Sequence, residues 1–229
     1  GLDYQNPYLS PFEEFQRFKT HPEIRKTFEG GRRIAYGARS LIEGGLQSLP
    51  KLSFKGGVLV GDAAGFLNMP RIKGIHTAMK SAMLAAEAVF PLLENLEEVE
   101  SFDSGKEAAD YQQRFEQSWL YQELYAARNV RPSFKWGVYL GSIYTGIDQM
   151  IFRGKAPWTL KHHGKDNEQL KKAAECKPID YPKPDGVLTF DRLSSVFLAN
   201  LAHEENQPDH LVLKNPQVMI DVNYKEYAS

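Results

Sequence analysis

One cysteine, Cys176, is present in 229 residues. A single thiol excludes an internal disulfide, an all-cysteine zinc site and an iron–sulfur cluster held by this stretch alone. Charge of one sign is also lacking, because 28 Lys and Arg stand against 29 Asp and Glu for a net charge of −1. A near-neutral chain is a poor candidate for a nucleic-acid binder working through bulk charge. No uninterrupted apolar run reaches the roughly 18 residues of a membrane-spanning helix. No secretory signal pattern opens the chain, and no nucleophile elbow, P-loop or metalloprotease motif occurs in it. What is present is ordinary for a folded protein: 42% hydrophobic and 25% charged residues. The opening Gly1-Leu2-Asp3-Tyr4 has no initiator Met, and a piece of a longer protein is the favoured reading over a processed terminus.

The first 50 residues read as a loop, a short helix and a strand region. Ser10-Pro11 followed by Glu13-Glu14 gives an N-cap, a proline at the first helical position and an acidic first turn. Phe12, Phe15 and Phe18 make one apolar face, and His21-Pro22 is expected to stop the helix. Between 57 and 61 a glycine-bounded apolar run predicts a buried parallel strand. Residues 75–90 carry strong helix formers at helical spacing. The acidic stretch 94–107 reads as an exposed linker and 107–129 as a second helix, with Tyr111, Phe115, Trp119, Leu120, Leu124 and Tyr125 on its buried side. From 156 onward prolines accumulate. Strands are expected at 187–190 and 210–213, and a helix at 191–201.

The chemistry concentrates in Gly57-Val58-Leu59-Val60-Gly61-Asp62-Ala63-Ala64-Gly65-Phe66. A strand ending in Gly-Asp delivers a carboxylate to the sheet edge where ligands bind in such folds. Gly61 allows a bound group close to the backbone. Asp62 can accept hydrogen bonds from sugar or ribityl hydroxyls, or else merely cap a following turn. Gly74-Ile75-His76-Thr77 then opens the alanine-rich helix, with free N–H groups whose partial positive charge can stabilise an anion. The N1/O2 edge of a reduced flavin is such an anion.

At these residues the chain resembles the flavin-contacting segment of FAD-containing reductases related to aromatic hydroxylases. More specifically, it resembles the electron transfer flavoprotein–ubiquinone oxidoreductase family. That resemblance is carried by Gly1-Leu2-Asp3-Tyr4-Gln5-Asn6-Pro7-Tyr8, the run from Glu29 to Arg39, His76-Thr77-Ala78-Met79-Lys80-Ser81, Pro157-Trp158-Thr159-Leu160-Lys161 and Tyr181-Pro182-Lys183-Pro184-Asp185-Gly186. It covers essentially the whole chain. It implies FAD, a [4Fe–4S] cluster in the full-length protein, and the electron transfer flavoprotein, ubiquinone and a membrane lipid surface as partners. Gly61, Asp62, Gly74, Ile75, His76 and Thr77 are the cofactor-binding residues it implies. No catalytic or metal-ligating residue is expected, and no nucleic acid.

Three family features are missing: the N-terminal Gly-x-Gly-x-x-Gly, a quinone-contacting Gly-Gly pair and four cluster cysteines, of which Cys176 is not one. An internal fragment accounts for these gaps, with FAD shared with a missing N-terminal part. The fold class expected is α/β with α+β additions: part of an aromatic-hydroxylase-like FAD domain, part of a quinone-binding domain and the start of a ferredoxin-like domain. The boundaries expected are 1–55 for quinone binding, 56–106 for FAD, 107–155 for a helical segment and 156–229 for the start of the iron–sulfur domain.

The stretch 133–153 has Leu140, Ile143, Tyr144, Ile147, Met150 and Ile151 on one helical face. Arg131, Lys135, Arg153 and Lys155 flank it, and Asp148 interrupts it, so that it fits an interfacial helix better than a spanning one. A core helix is the competing reading. The resemblance implies monotopic attachment here, at the matrix face of the mitochondrial inner membrane or the cytoplasmic face of a bacterial one. Two other functions stay open: a related FAD-dependent quinone or prenyl reductase, and a non-catalytic, membrane-peripheral piece. His162-His163 reads as a solvated pair and Cys176 as a surface thiol.

Overall fold

The computed structural model describes residues 4–94, 106–165, 168–208, 212 and 214–217. They fall into two units, one of Ser40–His163 and one of Gly1–Arg39 with Gly164–Ser229. Among the described residues helices are the main regular elements of both, and the second is largely irregular between them.

In the larger unit a 3-10 turn (Gly45–Ser48) precedes an antiparallel ribbon of β1 (Ser53–Phe54) and β2 (Gly57–Val58), with Ser53 opposite Val58. The parallel strand expected at 57–61 is therefore corrected. A parallel neighbour needs a long crossover, whereas here a two-residue turn at Lys55-Gly56 folds the run back on its own antecedent. Leu59 and Val60 are half-buried, and Val60 leads into the single turn of α3 (Gly61–Ala64). The long helix α4 covers Ile75–Glu94 and carries Pro91 within it. Its Leu84, Ala85 and Ala88 pack into a core with Leu52, Phe66, Tyr111 and Phe115.

The single helix expected over 107–129 is two: α5 (Asp110–Glu116) and α6 (Trp119–Ala126). Ser118 adopts an extended conformation (φ −88°, ψ 162°), and its hydroxyl donates to Phe115 O at 2.7 Å, a local bond that competes with helix continuation. Tyr111, Phe115, Leu120 and Leu124 are buried as their spacing predicts, but Trp119 and Tyr125 are exposed. Tyr111 is enclosed with its hydroxyl donating to Leu59 O at 3.1 Å. Burial pushes its pKa up to about 12, despite a hydrogen bond with Ser81 that acts the other way.

After α7 (Val130–Ser133), α8 (Val138–Gly146) continues as wider π turns over Ile147–Ile151. Leu140, Ile143, Ile147, Met150 and Ile151 are exposed, but Asp148 is buried, so its face belongs to the protein interior. Arg128 anchors the loop beyond these turns. The residue is 4% exposed, and its guanidinium donates to the carbonyls of Tyr125, Gly154, Ala156 and Trp158 and to the Thr159 hydroxyl, at 2.6–3.0 Å. Gly154 has φ +70°, and a Cβ there would lie 2.3 Å from Ala126 O, so this close approach needs glycine.

The other unit holds α1 (Pro11–Lys19), α2 (Pro22–Phe28) and α9 (Arg192–Leu198). Ser10 caps α1 by accepting Glu13 N–H, as its position predicts. Pro22 stops α1 but also begins α2, where it occupies the first turn, and residues 31–44 form no strand. The strand expected at 187–190 is a chain of bends. Asp185 Oδ1 accepts the N–H groups of Val187, Leu188 and Thr189 at 2.8–2.9 Å, and a backbone folded round one carboxylate cannot run extended. Most of the strand expected at 210–213 lies outside the described residues. Arg33 donates to Ser195 Oγ and Ser194 Oγ at 2.8 and 3.0 Å and stacks 4.0 Å over Phe190.

Candidate functional site

Gly61 sits at the start of α3 with φ +58°, its N–H donating to Ser81 Oγ of α4 at 2.8 Å. An added Cβ would come 3.1 Å from the Ala78 Cβ, so glycine lets α3 lie against α4. Asp62 comes next with its side chain exposed. The chain then makes a loop at Asn68–Lys73, where Asn68 N donates to Lys73 O at 3.0 Å and Lys73 N to Asn68 O at 3.3 Å. Ile72 takes φ +50° to close it.

Gly74 ends the loop and α4 begins. Ile75 is 81% exposed. Thr77 is buried, its hydroxyl set between the carbonyls of Gly74 (2.7 Å) and Phe66, which ties the turn back to the chain leaving α3. The first-turn N–H groups of α4 have no intrahelical acceptor, as at any helix start. Gly61, Asp62 and Gly74 to Thr77, the candidate residues of the sequence, are thus joined through α3, α4 and the loop between them.

The sequence marks His76 as part of that turn but gives no sign of its partners. Its Nε2 lies 2.8 Å from Glu123 Oε1 of α6, and its ring stacks on Trp119 with the planes 5° apart. Asn68 Nδ2 donates to the same Glu123 oxygen at 2.6 Å. Burial works to raise the Glu123 pKa. The hydrogen bonds from Asn68 and His76, with the positive fields of His76 and Arg71, outweigh it and hold the carboxyl below its ordinary 4.5. Asn68 Oδ1 is buried and accepts nothing, the one such side-chain atom among the described residues. A polar residue in a loop and a glutamate on a distant helix give no pattern that joins them in sequence. The single available signal is Trp119 and Glu123, four apart on one helix face.

Elsewhere, a surface groove of the same unit, about 430 Å³, is lined by Lys51, Leu52, Ser53, Glu107 and others and includes none of these residues. His162 Nε2 lies 2.8 Å from Gly44 O, which gives that ring a structural partner. Cys176 is half-buried. Among the described residues no three or more His, Cys, Asp or Glu gather as a metal site, and no helix is long and apolar enough to cross a membrane.

Residues 1–41 match the model of the ETF-QO ubiquinone-binding family. Residues 186–229 match that of the electron transfer flavoprotein-ubiquinone oxidoreductase 4Fe-4S domain. The mitochondrial electron transfer flavoprotein-ubiquinone oxidoreductase of Rattus norvegicus is 58% identical over 229 residues, covering 99% of this chain and 37% of the rat protein. The Homo sapiens protein of that name is 56% identical over the same lengths of both. The Saccharomyces cerevisiae protein described as a probable one is 54% identical over 92% of this chain and 36% of its own. The chain is therefore similar along nearly its whole length to electron transfer flavoprotein–ubiquinone oxidoreductases, and it spans little more than a third of the length of these relatives.

Proposed function

We propose that the protein containing this chain is an electron-transferring-flavoprotein dehydrogenase. It takes electrons from a reduced electron transfer flavoprotein and passes them to ubiquinone at a membrane surface. The observation that carries this is 58% identity along 99% of the chain to a protein of that name. The relatives' names place them in mitochondria, and the matrix face of the inner membrane is the side we favour.

Within this reading residues 56–106 belong to an FAD-binding domain. The residues present fit a flavin. Asp62 offers an exposed carboxylate to a ribityl hydroxyl, and the first turn of α4 offers N–H donors to the N1/O2 edge. FAD, when bound, supplies the electron-carrying chemistry, and the protein supplies placement and field. Gly61 admits close packing, Asp62 orients the chain of hydroxyls, and Gly74 to Thr77 set positive potential where charge accumulates.

The donor set does not fit an iron–sulfur cluster. Residues 186–229 match the cluster domain but contain no cysteine, and Cys176 is the chain's one thiol. No step is therefore assigned to a cluster held by these residues. The exposed apolar row on α8 and its π turns, from Leu140 to Ile151, favours a helix resting on lipid.

The test of the flavin assignment is Asp62→Ala in the full-length protein. Loss of a charged acceptor worth about 1.5–3 kcal/mol should weaken FAD retention by tenfold or more. Unchanged FAD occupancy and potential would sink the role given to Asp62.

A further inference from the structure

We propose that Asn68 is a flavin-binding residue whose side-chain oxygen accepts the N3–H of the flavin ring. This rests on the flavin reading of residues 61–77 and adds a contact that reading does not contain.

Asn68 is 4% exposed. Its Nδ2 donates to Glu123 Oε1 at 2.6 Å, which fixes the amide's orientation, because the reversed amide would set oxygen against oxygen. Oδ1 is then left as a buried acceptor without a donor among the described residues. Such an atom is unfavourable unless something fills its hydrogen bond.

The atom's place in the fold points to what fills it. Asn68 and Lys73 exchange two backbone hydrogen bonds one residue before Gly74. His76, second residue of α4, meets the same Glu123 oxygen that Asn68 holds. The amide therefore sits one carboxylate away from the turn that offers N–H groups to the flavin O2. On the ring, O2 is followed directly by N3–H, a donor. A run of donors followed by an acceptor on the protein complements an acceptor followed by a donor on the ring.

The experiment uses the full-length flavoprotein, stripped of FAD and reloaded with FAD or with 3-methyl-FAD, in which a methyl replaces that hydrogen. Wild type should bind 3-methyl-FAD about tenfold more weakly than FAD, the loss of one hydrogen bond to a buried partner. Asn68→Ala should bind FAD about tenfold more weakly than wild type and no longer distinguish the two. Equal binding of both flavins by wild type, or undiminished FAD affinity in Asn68→Ala, would overturn the proposal and assign the oxygen to an ordered water. If Asn68→Ala does not fold, Asn68→Ser takes its place, and the wild-type comparison needs no variant. Asp62→Ala run alongside separates the two claims. Weakened FAD there with unchanged FAD in Asn68→Ala removes only this contact, while no effect in either removes the flavin reading of 61–77.

Discussion

Asn129 donates from Nδ2 to Asp148 Oδ1 at 3.3 Å, and both residues are almost wholly enclosed. The same amide accepts Leu160 N–H at 2.8 Å and reaches Trp158 O at 3.2 Å, while Gln149 Nε2 donates to the other Asp148 oxygen at 2.8 Å. The acidic residue that interrupts the apolar run is therefore a bolt between α7's approach and the π turns. Replacing Asn129 or Asp148 by alanine strands buried polar groups and should cost about 1–3 kcal/mol of stability. Denaturant midpoints of the full-length protein check this. Vesicle binding by the surviving folded fraction should not change.

The exposed apolar row, on the lipid reading proposed above, makes the opposite prediction. Ile143 and Ile147 are 61% and 40% exposed, so glutamates there keep their water and should barely move the melting temperature. Each large side chain removed from lipid gives up on the order of 1.5–3 kcal/mol. The Ile143→Glu, Ile147→Glu protein should stay folded and no longer float with liposomes. A folded protein that still floats would shift attention to Lys135, Arg153 and Lys155.

Arg128 should not tolerate lysine. The guanidinium meets five acceptors, and none of them is a carboxylate. A point-like ammonium with three donors leaves buried carbonyls unmet. Arg128→Lys should lose roughly 2–4 kcal/mol, read as a fall in the thermal midpoint. A change under about 0.5 kcal/mol, the range of ordinary surface substitutions, would show that the network relaxes around the smaller head.

Asp185 gives a dependence on pH. The N–H groups of Thr189, Val187 and Leu188 hold its carboxyl well below the ordinary 3.8, so the folded state prefers the ion. That preference stabilises the bends at neutral pH, persists down to the ordinary value and fades as acid protonates the folded carboxyl. Hydrogen exchange at the Leu188 and Thr189 amides should be slower in wild type than in Asp185→Asn at pH 7. The gap should narrow below pH 3.8. A gap that holds constant into acid would mean that the charge contributes nothing.

Sequence patterns serve well where one local rule acts alone. The cap of Ser10, the proline start of α1 and the capped helix after Asp191 follow from chain-local chemistry. The grouping of Gly61-Asp62 with the Gly74–Thr77 turn rests instead on the family resemblance, and the bonds that join them, Gly61 N–H to Ser81 and Thr77 to Phe66 O, are not chain-local. Patterns fail where a side chain redirects the backbone. The Ser118 hydroxyl divides α5 from α6, and the Asp185 carboxylate curls 187–190 into bends that apolar residues alone would suggest are a strand. They fail again for Asn68 and Glu123, whose meeting across 55 residues leaves no periodic trace.

The Arg128 network has a mechanical meaning. Carbonyls from 154 to 158 converge on a guanidinium that begins two residues beyond α6, and Gln149 Nε2 also holds Ala126 O at 2.9 Å. The π turns and the loop behind them are thus strapped to the helix that carries Glu123. Those bonds fix where the π turns stand against the end of α6, so that the outer apolar row and Glu123 belong to one hydrogen-bonded body.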